Sequence, residues 1–383
     1  MAQKIRRLKL VDIDVPNKTE KKRPPNNLDA LRGLAVFGVV CNHLSAHAGI
    51  RVPFFGELGG LLGVQLFFLI SGYLIVQSAS RYTLAAYAVR RLLRIFPAYW
   101  MAVLGVSLLY GRLDGEALAS GRGDFLWNLM AQSHWVPSAL LRYDVLTVSW
   151  TLTVELAWYA VAPLLVWLEP RRQSAAFWIG TMAAALAASS AWVWTAHAGG
   201  LDPLYAEAIA RAGVSPVNGF MRFAFIVNAF PAQLVFFVMG CLLWRFEAAL
   251  AGLPAWLLCA VAAVFAGWPT QWNALVSLNP SSLSGVGLAG LFLLALRLPR
   301  LRFGFPHWLG RVSYPVYLLH VPVILAVFQH WKTTGWPGLC VAMAMLAATS
   351  AALHHGVEQP GIALGKRLTK LLATPAHAPS SAV

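Results

Sequence analysis

The chain has 383 residues, 58% of them hydrophobic and only 12% charged, with a formal net charge of +15. Soluble domains carry about a quarter charged residues, so this balance excludes an ordinary soluble fold and points to a chain that crosses a bilayer many times. The positive charge lies in short segments between apolar runs, with no basic domain of interleaved aromatics, which excludes nucleic acid as a partner.

Residues 1–27 are charged and lack an apolar core, so they are no cleavable signal peptide, and the first apolar segment serves as its own insertion signal. Ten apolar segments follow, at 28–48, 58–79, 95–111, 146–168, 174–196, 223–246, 252–269, 281–298, 309–330 and 336–356. Each is expected to be a transmembrane helix, because lipid cannot satisfy an open backbone. With the N-terminus in the cytoplasm, 21 of the 30 Lys and Arg fall in cytoplasmic segments and 7 on the opposite side, Arg32 and Arg311 lying within spans. That bias predicts an all-α polytopic protein with both termini cytoplasmic. The run "FLWNLMAQSHWV" at 125–136 is too short to span and is expected to be interfacial or re-entrant. The long outer segments 112–145 and 197–222 are the candidate lid or acceptor-facing elements. Residues 28–368 then form one membrane domain, and 369–383 a disordered cytoplasmic tail. Cys41, Cys241, Cys259 and Cys340 all fall within apolar runs without paired spacing, which predicts small buried hydrophobes, neither a disulfide framework nor a metal site.

The first segment, "LDALRGLAVFGVVCNHL", carries Arg32 and His43 eleven residues apart. At about 100° per residue they share one helix face, separated by roughly 16 Å along the axis. Arg32 can snorkel to lipid phosphate and His43 can join two helices, or both can serve a reaction inside the bundle. In "GVQLFFLISGYLI", Gly59 and Gly63 make a small-xxx-small pair for close helix approach, while Ser71 and Gly72 either pack or expose a hydroxyl and backbone to a site. In "YAVRRLLRIFPAYW", Arg91 and Arg94 share a face at the cytoplasmic entrance of the third span. They read equally as an ordinary positive-inside cluster and as a phosphate clamp of guanidinium forks.

In "VSWTLTVELAWYAVAPLL", Glu155 is an intramembrane carboxylate that needs a partner. It is placed to pair with Arg32, to orient His43 or to hold a substrate hydroxyl, whereas Trp150 and Trp158 are equally expected as interface markers. In "LGRVSYPVYLLHVP", Arg311, Tyr314, Tyr317 and His320 recur every three residues as a polar stripe. Interhelical hydrogen bonding accounts for most of it, and His320 lies deep enough to be a second candidate base.

Taken together these stretches resemble the acyltransferase-3 family of bacterial membrane O-acyltransferases. The resemblance runs in order from Leu28 to Leu368. Arg32 and His43 are similar to the first-span arginine–histidine motif, and Phe67-Phe68 through Ser71-Gly72-Tyr73 to the second-span motif. Arg91 and Arg94 match the arginine pair, and Trp150 and Glu155 the tryptophan-to-glutamate motif. "SYPVYLLH" ending at His320, and Glu358 to Pro360, complete the order. The chain departs from the family at Gln65 and Leu156, where acidic residues are frequent, and the hydrolase-like domain that follows the spans in some members is not expected in it.

The resemblance implies an enzyme of the inner (cytoplasmic) membrane that moves an acyl group, expected to be acetyl, from acyl-CoA to a hydroxyl of a cell-surface or secreted carbohydrate, free or lipid-linked. It implies no tightly bound cofactor and no metal. His43 would be the general base or an acyl carrier, with Arg32 and Glu155 as its catalytic partners. Arg91 and Arg94 would bind the nucleotide phosphates, and Ser71, Tyr73, Trp150, Tyr317 and His320 would complete the substrate site. A transporter whose intramembrane charges line a solute path is the competing class.

Overall fold

In the computed structural model the described residues are 27–111, 123–169, 174–203, 229–265, 281–299 and 304–372, together with 206, 210 and 301. They form helices and no strand. We number the principal ones α1 (Leu28–Ala48), α2 (Phe55–Arg81), α3 (Leu84–Leu109), α4 (Trp150–Leu168), α5 (Ala175–His197) and α6 (Phe230–Arg245). Then come α7 (Ala255–Phe265), α8 (Ser281–Arg297), α9 (Gly304–Arg311), α10 (Ser313–Ile324), α11 (Gly335–Leu353) and α12 (Gln359–Leu372).

Among the described residues α2, α3, α4, α5 and the continuous helix Gly335–Leu371 are long and apolar enough to cross a membrane, and the bent pair Gly304–Arg311 plus Ser313–His330 makes a sixth. The apolar stretches of α6, α7 and α8 are shorter, at 10–17 residues. α1 is 21 residues long but falls short by composition, because it carries Asp29, Arg32, Asn42, His43 and His47. Those polar groups are tolerated because α1 runs inside the bundle, against α2, α9 and α10. Every apolar segment whose residues are described contains helix.

Three boundaries differ from expectation. The third span starts at Leu84 instead of 95, since Thr83 caps it by accepting the Ala86 amide at 3.3 Å. Arg91 and Arg94 are therefore about two and three turns inside α3, not at its entrance. Second, Gly304–Arg311 and Ser313–His330 meet at 79°, so Arg311 ends a separate helix, is exposed, and leaves the polar stripe. Third, the last helix continues through a π-turn at His354–Glu358 and on to Leu372, so residues 369–372 are helix instead of tail. Residues 1–26 and 373–383 lie outside the described residues.

Close helix approaches place the site. The small-xxx-small pair does what its spacing predicts: a Cβ on Gly59 would strike the Gly38 carbonyl, and one on Gly63 the Ala35 carbonyl, so α1 and α2 meet backbone to backbone. Gly72 is used likewise against the Phe237 carbonyl of α6. The amide of Asn42 donates to the Gly56 carbonyl at 2.9 Å and locks the far half of α1 to the start of α2. The 125–136 segment turns in against α3 and α4. The Tyr99 hydroxyl donates to the Asn128 carbonyl at 2.6 Å and Thr153 to that of Ala131 at 2.8 Å. Cys41 and Cys241 are buried as expected, but Cys259 and Cys340 lie on the outer faces of their helices, and all four are free.

Candidate active site

The ends of α1 to α4, with α10 and α12, enclose a cavity of about 440 Å³. Its wall holds Arg32 of α1, Ser71 and Arg81 of α2, Arg90, Arg91 and Arg94 of α3, Glu155 and Tyr159 of α4, Tyr314 and Tyr317 of α10, and Lys366 of α12. Among the described residues six cations thus face one carboxylate. Of the residues expected in the site, Arg32, Ser71, Arg91, Arg94, Glu155 and Tyr317 are brought together here.

The carboxylate is held by its neighbours. Ser71 donates its hydroxyl to Glu155 Oε1 at 3.1 Å and Tyr159, one turn along α4, donates to the same oxygen at 3.0 Å. Arg32 lies 3.4 Å from Asp29 in an i,i+3 pair, so its ion-pair partner is Asp29, not Glu155. The Arg91 guanidinium lies over the rings of Tyr87 and Tyr159, at 5.8 and 5.6 Å from their centres, and its buried Nε has no hydrogen-bond partner. Arg94 makes no side-chain hydrogen bond or ion pair among the described residues. Two guanidinium groups on one face of α3 are therefore free to bind anionic oxygens, and the donor set fits a polyphosphate.

The histidines lie one layer beyond. Tyr317 closes the inner end of the cavity, its ring 6.1 Å from Phe67 on the cavity side and 5.7 Å from His320 on the other. The rings of His43 and His320 are 4.9 Å apart, edge to face, and His47 stacks on His43 at 5.7 Å. The ring contacts of His43 are thus with histidines. Glu155, held by Ser71 and Tyr159, is not arranged to orient it. His43 and His320 are not in the cavity wall.

Two expected site residues are elsewhere. Tyr73 turns away, donating its hydroxyl to Glu247 at 2.6 Å and packing on Phe292 of α8, so it ties α2 to the α6–α8 side. The reason is register: Ser71 and Tyr73 are two residues apart and so point to different sides of α2. Trp150 packs on Phe68 and His134, outside the cavity wall. Conversely, Arg81, Arg90, Lys366, Tyr159 and Tyr314 were not singled out for the site. Tyr159 had a usable signal, being four residues after Glu155 on a helix. For Lys366 the signal was Gly361 and Gly365, the small face by which α12 lies on α3.

The loop before α4 is built round Asp144. The Ser149 hydroxyl donates to Asp144 Oδ1 at 2.6 Å, and the amides of Leu146, Thr147 and Ser149 add to it. Burial nevertheless pushes the Asp144 carboxyl up to about 6. Among the described residues no group of three or more His, Cys, Asp or Glu is arranged to hold a metal ion.

The acyltransferase-domain family matches residues 26–355. The chain is 30% identical over 376 residues to nodulation protein 10 of Rhizobium leguminosarum bv. viciae, covering 88% of this chain and 94% of that one. It is 26% identical over 376 residues to the acyltransferase MdmB of Streptomyces mycarofaciens, covering 89% and 92%. A shorter likeness, 28% over 166 residues, is to the peptidoglycan O-acetyltransferase OatA of Listeria monocytogenes, covering 37% of this chain and 24% of OatA. No solved structure matches the chain. With its multiple apolar helices and a match that spans most of its length, the chain belongs to the acyltransferase-3 family of multi-pass membrane acyltransferases.

Proposed function

We propose that the protein transfers an acyl group, acetyl in the simplest case, from acyl-CoA to a carbohydrate hydroxyl, and does so in the inner membrane with ten spans and both termini in the cytoplasm. The observation that carries this reading is the cavity. Six cations face a single carboxylate at one end, and the far end stops at Tyr317, against the His43–His320 pair. The 21-to-7 distribution of Lys and Arg supports the orientation, in which the cationic end faces the cytoplasm and its acyl-CoA.

In this reading Arg91 and Arg94, with Arg81, Arg90 and Lys366 at the rim, hold the phosphates of the donor. The pantetheine arm follows the cavity past Glu155 to Tyr317. At its tip the acceptor oxygen attacks the thioester carbonyl, the C–O bond forms and the C–S bond breaks. His43 takes the hydroxyl proton and returns it to the departing thiolate sulfur. The carbohydrate acceptor is proposed from the printed activity of OatA, a peptidoglycan O-acetyltransferase.

The test is equilibrium binding of radiolabelled acetyl-CoA to purified protein. Arg94→Ala is expected to weaken binding at least tenfold and Arg94→Lys less, because Lys keeps the charge and loses the fork. Arg171→Ala, in a separate basic segment, should bind as wild type. Equal losses at Arg94 and Arg171 would remove the donor site from the cavity.

A further inference from the structure

His320 is fully buried on α10, and its Nδ1 lies 2.7 Å from the Tyr317 carbonyl oxygen. A carbonyl only accepts hydrogen bonds. Nδ1 therefore carries the proton, and Nε2 is left with the lone pair. That Nε2 has no hydrogen-bond partner. A buried acceptor without a donor is costly, and native interiors seldom leave one without a reason.

One group able to supply a donor, and in ring contact with His320, is His43. Its ring centre is 4.9 Å from that of His320. Two imidazoles joined by an N–H···N bond of about 3 Å have ring centres about 5 Å apart, so the spacing of the two rings suits such a bond. His43 makes no side-chain hydrogen bond among the described residues that would oppose it. His47 does not compete for the same role, because its ring lies parallel to that of His43, within 6°, and stacked rings do not share an in-plane hydrogen bond.

We propose that His320 is a positioning residue whose Nε2 accepts the N–H of His43, fixing the tautomer of His43 and turning its remaining lone pair to the acceptor hydroxyl. The inference rests on the acyl-transfer reading and on His43 as its base. A general base needs a third group to hold it, and in this site a neutral imidazole fills the place that a carboxylate fills elsewhere. Glu155 is already committed to Ser71 and Tyr159. The proton balance is unchanged: the hydroxyl proton goes to the free nitrogen of His43 and from there to the thiolate, and none passes to His320. The backbone of α10 sets the arrangement, since Tyr317 and His320 are three residues apart on one helix.

The test compares His320→Leu with His320→Gln in full-length purified protein, with His43→Ala as reference. Leu removes the acceptor atom, whereas the Gln side-chain oxygen reaches the Nε2 position. His320→Leu should lower kcat at least a hundredfold with the acceptor KM within twofold and acetyl-CoA binding unchanged. His320→Gln should recover activity to within tenfold of wild type. Equal loss in both variants, or a change confined to KM, overturns the proposal. So does a dead His320→Leu beside an active His43→Ala, which would make His320 the base. Wild-type protein that binds acetyl-CoA and transfers nothing would instead refute the acyl-transfer reading itself. A readout free of folding effects is the nitrogen-15 spectrum of histidine-labelled wild type. Protonated Nδ1 with a hydrogen-bonded, unprotonated Nε2 at His320 agrees with the proposal, and the opposite tautomer overturns it.

Discussion

At the scale of single residues, the site separates charge by its partners. Glu155 is held between two hydroxyls, Arg32 leans on Asp29, and Arg91 and Arg94 keep donors free. Among the described residues Asp144 is the one carboxyl outside the spans that burial clearly displaces, up to about 6. A carboxyl raised on folding binds more protons in the folded than in the unfolded state between its ordinary value near 4 and 6. Stability from this group is therefore full below the ordinary value near 4 and is lost as pH rises through 6. Asp144→Asn does not titrate, so its melting temperature should gain on that of wild type from pH 4 to pH 7. A constant difference across that range would remove Asp144 from the account. Tyr73 shows the limit of motif reading at this scale. It belongs to the same short motif as Ser71, yet one residue faces the cavity and the other faces α8, and only helix register separates them.

At the scale of elements, close backbone contacts decide where the functional side chains stand. α12 lies on α3 because Gly361 leaves no Cβ to strike the Leu93 carbonyl, and this brings Lys366 to the cavity rim. Gly361→Leu should force the two helices apart and cost about 1–3 kcal/mol, read as a lower melting temperature together with weaker acetyl-CoA binding. Gly105→Leu, in open space on α3, is the control and should do neither. Unchanged binding in Gly361→Leu would mean that α12 is not part of the site. Much at this scale was legible in the sequence: the small-xxx-small pair of α2 met α1 as its spacing required, and α1 agrees with the apolar segment 28–48 to the residue. The start of α3 was missed because Arg90, Arg91 and Arg94 interrupt the apolar run, while the helix begins ahead of them at the Thr83 cap. The bend at Arg311 was missed because apolar periodicity runs on across it.

At the scale of the whole molecule, the chain gathers basic ends of several helices on one side and histidines beyond them. The arginine–histidine spacing of α1 foretold a shared face, and the structure adds what no spacing encodes: the layer of Tyr317 between the two groups, and the second histidine brought in by α10. Contacts between segments about 280 residues apart cannot be read from local pattern. A reporter fused after Lys370 should be cytoplasmic and one inserted near Gly121 external. Finding both on one side would refute the ten-span topology.

The central claim is that donor binding and chemistry occupy opposite ends of one path, with His43 as the base. The most direct measurement pairs acetyl-CoA binding with acyl transfer in His43→Ala. Binding should stay within twofold of wild type while transfer falls at least a thousandfold, as expected for a group used only in the transition state. Retained transfer, or loss of binding and transfer together, would contradict the account.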